Sequence, residues 1–82
     1  METICLFGSD YETRQEAHAA LKKLLALPEY YGMNADALND CLSERRTCPG
    51  LWIRWEGNEE VQSALALMAR VFQDSGGEVK EL

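Results

Sequence analysis

Apolar and polar positions along the chain switch period four times, and each switch marks an element. Thr3 to Phe7 is apolar at adjacent positions and rich in β-branched and aromatic residues, which predicts a short strand covered on both faces. Gly8-Ser9-Asp10 breaks it. Thr13 and Glu16 then stand at the spacing of a capping box, in which each side chain bonds the other residue's backbone N–H. Ala17, Ala20, Leu21, Leu24 and Leu25 follow at i, i+3, i+4, i+7 and i+8, one stripe of a helix that Pro28 stops near Leu27.

Glu29-Tyr30-Tyr31-Gly32-Met33 is a connector, and Asn34 is an N-cap for a second helix running to about Ser43. One of the two tyrosines packs inward, and the pattern leaves open which. Ala35, Leu38, Cys41 and Leu42 form the inward face of this helix. Thr47-Cys48-Pro49-Gly50 is a turn into a second strand, Leu51 to Trp55. Asn58 caps a third helix whose first turn carries Glu59 and Glu60, favourable at the positive end of the helix dipole. Val61, Ala64, Leu65, Met68, Val71 and Phe72 supply its stripe, and Gly76-Gly77 ends it. Glu78 to Leu82 forms a short third strand, with Val79 and Leu82 its apolar positions. Helices between successive strands are crossovers, so the order predicts an α/β fold: a small three-stranded parallel sheet with helices packed on it, in one domain over residues 1–82.

Composition narrows the class. Fourteen acidic residues against eight basic ones leave a net charge of −6. A chain of that sign repels phosphate backbones, which argues against direct nucleic-acid binding and for a basic partner. The opening residues lack the basic start and apolar run of a secretory signal, and no stretch approaches the ~20 apolar residues of a membrane span. Three cysteines, odd in number and without CxxC pairing, read as reduced thiols in a cytoplasmic protein. Cys5, Cys41, Cys48 and His18 lack the short paired spacing of a zinc site. His18, the only histidine, lies beside the apolar stripe of the first helix and reads as a surface or half-buried structural residue. Nothing in its spacing makes it a base for Cys41, and there is no phosphate loop or dinucleotide fingerprint. Trp52, Trp55 and Met68 read as core or rim packing. The expectation is no enzyme, no cofactor and no metal.

The charge is unevenly placed. No basic residue falls between Lys23 and Arg45, while Glu29, Asp36, Asp40 and Glu44 lie within that stretch. Four of the six net negative charges therefore sit in about a quarter of the chain. Asp36 and Asp40 are four apart and share one helix face, which the apolar stripe turns outward. Like charges at this spacing cost roughly 0.2–0.5 kcal/mol. Tyr30 and Gly32 stand just before them, and an aromatic anchor beside exposed carboxylates is the makeup of a protein-binding patch.

The run from Leu24 to Leu42 resembles the barstar family, intracellular inhibitors of barnase-type ribonucleases. The resemblance rests on Leu27-Pro28-Glu29-Tyr30-Tyr31-Gly32, the Asn34 cap, and the spacing of Asp36, Ala37, Leu38, Asp40, Cys41 and Leu42. It extends more loosely over Thr13 to Leu25, Pro49 to Trp55 and Val61 to Ser75. It implies a barstar-like fold and a function without catalysis: the second helix and the loop before it plug a ribonuclease active site. Carried over by position, it implies partner contacts at Tyr30, Gly32, Asn34, Ala35, Asp36, Asn39 and Asp40, with Ser43 at the edge and Asp74 as a further acidic contact. The implied partner is a basic extracellular-type ribonuclease or ribonuclease toxin, bound one to one by a protein that is a monomer when free. Asn39 stands where the family usually has tryptophan, and Ser43-Glu44-Arg45-Arg46 replaces a mostly apolar turn. The alternative is an acidic adaptor for a non-nuclease basic protein, which needs the same patch.

Overall fold

The structure is a computed structural model that describes residues 3–29, 31–45 and 48–82. Its elements are β1 (Thr3–Phe7), a 3₁₀ turn (Gly8–Asp10), α1 (Arg14–Leu25), α2 (Ala35–Ser43), β2 (Gly50–Arg54), α3 (Glu59–Asp74) and β3 (Val79–Glu81). The three strands form one parallel sheet in the order β1-β2-β3. Cys5 lies opposite Trp52 and Trp52 opposite Lys80 across the sheet. The expected α/β class and parallel sheet are therefore observed, and the short third strand forms because its backbone completes the edge of β2.

One feature of the strands departs from expectation. β1 alternates exposed and buried positions, so it is covered on one face and not on both. Ile4, Leu6, Leu51 and Ile53 point into the core with the helices. Phe7 and Trp52 lie on the other side, more than a third exposed, with the Lys80 ammonium 5.6 Å from the Trp52 ring centroid. A parallel sheet with helices on a single face gives its strands a period of two, and the apolar Cys5 and Phe7 disguise that period in the sequence.

The helices follow from their caps. Thr13 Oγ1 accepts from the Glu16 N–H at 3.2 Å, whereas the Glu16 carboxylate accepts from Glu12 N at 2.7 Å, one residue earlier than a reciprocal box requires. Ala26 and Leu27 close α1, with Ala26 in the left-handed region and Leu27 N donating to Lys22 O. α3 ends in the same way at Gly76 (φ +87°), with Gly77 N donating to Phe72 O. Tyr31, Leu38, Leu42, Leu65, Met68 and Phe72 join the inner sheet residues in the core. In α1 the buried stripe is rotated from the one expected: Ala17, His18, Leu21 and Leu25 are inside, while Leu24 is 48% exposed. His18 is thus buried, not at the surface or half-buried. It can occupy the core because its ring nitrogen has a partner there, described below. Among the described residues no helix is long and apolar enough to cross a membrane.

Candidate functional site

The loop 31–34 and α2 form one exposed edge of the molecule. Tyr31 N donates to Pro28 O at 3.0 Å, which turns the chain after α1. Met33 takes a left-handed backbone (φ +57°), uncommon and strained for a residue with a side chain. Asn34 stabilises both sides of this kink: its Nδ2 donates to Gly32 O at 3.1 Å, and its Oδ1 accepts from Ala37 N at 2.8 Å. α2 therefore starts at a fixed point and in a fixed direction. Asn34→Ala removes the cap and the loop bond together, and is expected to lower stability by about 1–2 kcal/mol in urea unfolding.

Leu38 and Leu42 anchor α2 in the core, with Ala35, Ala37 and Cys41 half-buried beside them. Asp36, Asn39, Asp40 and Ser43 are exposed on the opposite side, as expected. Neither aspartate has an ion-pair partner among the described residues; the acids paired there are Glu29, Glu56 and Glu78. Ser43 Oγ donates to Asp40 O, a backbone contact that leaves the Asp40 carboxylate to solvent. Asp36 lies in the first turn of α2, where the helix dipole favours it, and Asp40 lies beyond that benefit. Burial first, and then the Glu44 and Asp40 carboxylates, push the Cys41 thiol up, so the negative field of this edge reaches its neighbours. A shallow depression of about 380 Å³ lies beside Asp40, between Tyr31, Gly32 and Glu44.

The remaining assignments divide. Gly32 is exposed and leaves the loop backbone open to close approach. Asp74 is exposed in the last turn of α3, which contains no basic residue. A carboxylate there opposes the helix dipole, so it is tolerated at a cost instead of stabilising its helix. No hydrogen bond or ion pair joins it to α2 among the described residues. Tyr30 and Arg46 lie outside the described residues. Tyr31 is packed inward, 5% exposed. Sequence reasoning missed its partner. The Tyr31 hydroxyl lies 2.7 Å from His18 Nδ1, both side chains being buried. A second hollow, of about 410 Å³, opens next to this contact between α1, α3 and the loop, with Arg14, His18, Asn34, Glu60 and Leu67 on its walls.

Cys5, Cys41 and Cys48 are unbridged, Cys5 on the open sheet face and the other two half-buried. Among the described residues no three His, Cys, Asp or Glu side chains converge as metal ligands. An acidic helix face, preceded by a loop that the Asn34 side chain bridges, thus stands on a one-sided α/β sheet. The chain belongs to the barstar family, described as Barstar (barnase inhibitor), which matches residues 1–81. This is a family of inhibitors and not of enzymes. A Bacillus subtilis (strain 168) protein named "Putative ribonuclease inhibitor YrdF" is 46% identical over 43 residues, 52% of this chain and 47% of that protein. The chain thus matches about half the length of that curated relative.

Proposed function

We propose that this chain inhibits a small basic ribonuclease, of the extracellular type or a ribonuclease toxin, by seating α2 and the loop before it in the enzyme's active site as a one-to-one complex in the cytoplasm. The observation that carries the reading is the pair Asp36 and Asp40, both exposed on one face of a capped helix and neither paired with a cation among the described residues. A ribonuclease holds its substrate phosphate, and the charge that develops on it, with Arg, Lys and His. A carboxylate fixed on a rigid helix occupies that place with charge-assisted, and from arginine bidentate, hydrogen bonds. Asp40 is the phosphate mimic and Asp36 the second anchor. Tyr30 is the aromatic anchor, with Gly32, Asn34, Ala35, Asn39 and Ser43 completing the contact and Asp74 meeting the partner further out. The remaining acidic surface steers encounter.

The name of the Bacillus relative and the family match support inhibition, and the net charge of −6 supports a basic partner. The test is titration into small secreted ribonucleases of the guanyl-preferring type while RNA cleavage is followed. Loss of activity at one equivalent, weakening between about 50 and 300 mM salt as charges are screened, is expected. Full activity at several equivalents across a panel of such enzymes would leave the acidic edge to a non-nuclease adaptor role.

A further inference from the structure

The buried contact between His18 and Tyr31 joins the middle of α1 to the loop that presents α2. Among the described residues the loop is otherwise held by few bonds: Tyr31 N to Pro28 O, Leu38 N to Asn34 O at the start of α2, and the two made by the Asn34 side chain. It also contains the left-handed Met33, whose strain favours opening. Without a tie to the core, such a segment belongs to the least stable part of a small domain. The ring centroids of His18 and Tyr31 are 5.9 Å apart and tilted by 51°, so hydroxyl and imidazole meet edge-on and the two rings fill one site.

We propose that His18 is a positioning residue for the partner-binding loop: its bond to the Tyr31 hydroxyl holds Tyr31–Asn34 in the geometry a ribonuclease meets, before that partner arrives. The proposal rests on the inhibitor reading above and deepens it. Neither residue touches the partner through this bond. Both contribute by removing the cost of ordering the loop at the moment of association.

The strut is sensitive to pH through the imidazole. Burial first, and then the Arg14 charge, lower the His18 pKa below its ordinary 6.5, and burial raises that of Tyr31, so at neutral pH both are uncharged. With its proton on Nε2 the neutral imidazole accepts a hydrogen bond from the Tyr31 hydroxyl at Nδ1; a protonated ring donates there instead, as a buried cation. The charge that bears on it is Arg14 on α1, its hydrogen-bond partner is Tyr31, on which Cys41 of α2 acts in turn, and Glu60 of α3 lines the same cleft. The inner face of the sheet is aliphatic. Because the folded pKa is depressed, the unfolded or opened state binds the proton more readily. The stabilisation is fully present above pH 6.5 and is lost as pH falls from there through the folded value.

The experiment uses the full chain with Tyr31→Phe and His18→Gln. Tyr31→Phe keeps the ring and deletes the hydroxyl, whereas glutamine at position 18 keeps an acceptor for that hydroxyl but does not titrate. Backbone amide exchange is read at residue 31 and Ala37, which report the loop and its cap, and at Leu65 and Met68 inside α3. Dissociation from a guanyl-preferring ribonuclease is read in parallel. Tyr31→Phe is expected to raise opening at residues 31 and 37, and the dissociation rate, each on the order of tenfold, with α3 unchanged. Wild-type loop opening, corrected for intrinsic exchange, should rise between pH 7 and 5, and His18→Gln should abolish that rise while keeping dissociation at neutral pH as slow as in the wild type. Unaltered loop exchange in Tyr31→Phe, or a parallel rise in α3, overturns the proposal. If the wild-type chain inhibits no ribonuclease, the inhibitor reading falls by itself, and amide exchange decides the strut.

Discussion

Asp40→Ala is expected to weaken inhibition by about thirtyfold or more while leaving the thermal melt within about 3 °C of the wild type. The two halves have different physical origins. In the free protein the Asp40 carboxylate is exposed and has no ion-pair partner among the described residues, and Ser43 bonds the Asp40 carbonyl, which alanine retains. Removing the charge also relieves repulsion from Asp36, a gain of roughly 0.2–0.5 kcal/mol. Stability therefore stays level or rises slightly. In the proposed complex, alanine would leave a cluster of enzyme cations desolvated and unpaired, a penalty expected mainly in the dissociation rate. Asp40→Asn separates charge from shape: it keeps the volume, so an equally large loss identifies the charge as the cause. A variant that unfolds instead would show that Asp40 is structural and would remove the phosphate mimic from the proposal.

Gly8→Ala acts where the turns that leave β1 and β2 meet. A Cβ built on Gly8 lies 1.9 Å from the carbonyl oxygen of Glu56 and 2.6 Å from its carbonyl carbon. The reverse holds as well: a Cβ on Gly57, whose φ is +93°, lies 2.6 Å from the Gly8 oxygen. The turns that leave β1 and β2 are packed backbone to backbone, and no side-chain rotation relieves the clash. The strand ends must separate, at an expected cost of about 3 kcal/mol or more. A domain of this size has about 4–12 kcal/mol in all, so the melting temperature should fall by more than about 10 °C. Urea unfolding followed by circular dichroism gives the same quantity independently. Neither Gly8 nor Glu56 is among the proposed contact residues, so the fraction that remains folded should still bind one equivalent of enzyme. An unchanged melt would mean that the approach of these two turns contributes nothing to stability.

Much of the architecture was legible because it depends on local chemistry. Asn34 and Asn58 cap α2 and α3 where expected, Gly76 ends α3, and the stripe of α3 lies in the core apart from a half-buried Val71. Asp36 and Asp40 were placed outward by the positions of Leu38 and Leu42, and the fold leaves them there. The errors occur where the partner is distant in sequence. Leu24 continues the stripe of α1 in sequence, yet no element covers it, and the neighbouring stripe through His18 is buried instead. β1 reads as doubly covered since Cys5 and Phe7 are apolar, while the helices occupy only one side of the sheet.

By itself the sequence determined the elements, their order, the acidic edge and the residues that present it, since caps, periodicity and charge act over a few residues. The tertiary structure alone decided that Tyr31 packs inward, that His18 meets it, and that the turns at Gly8 and Gly57 press together. Each of these joins positions far apart along the chain, and only close packing selects which distant atoms come within bonding or clashing distance.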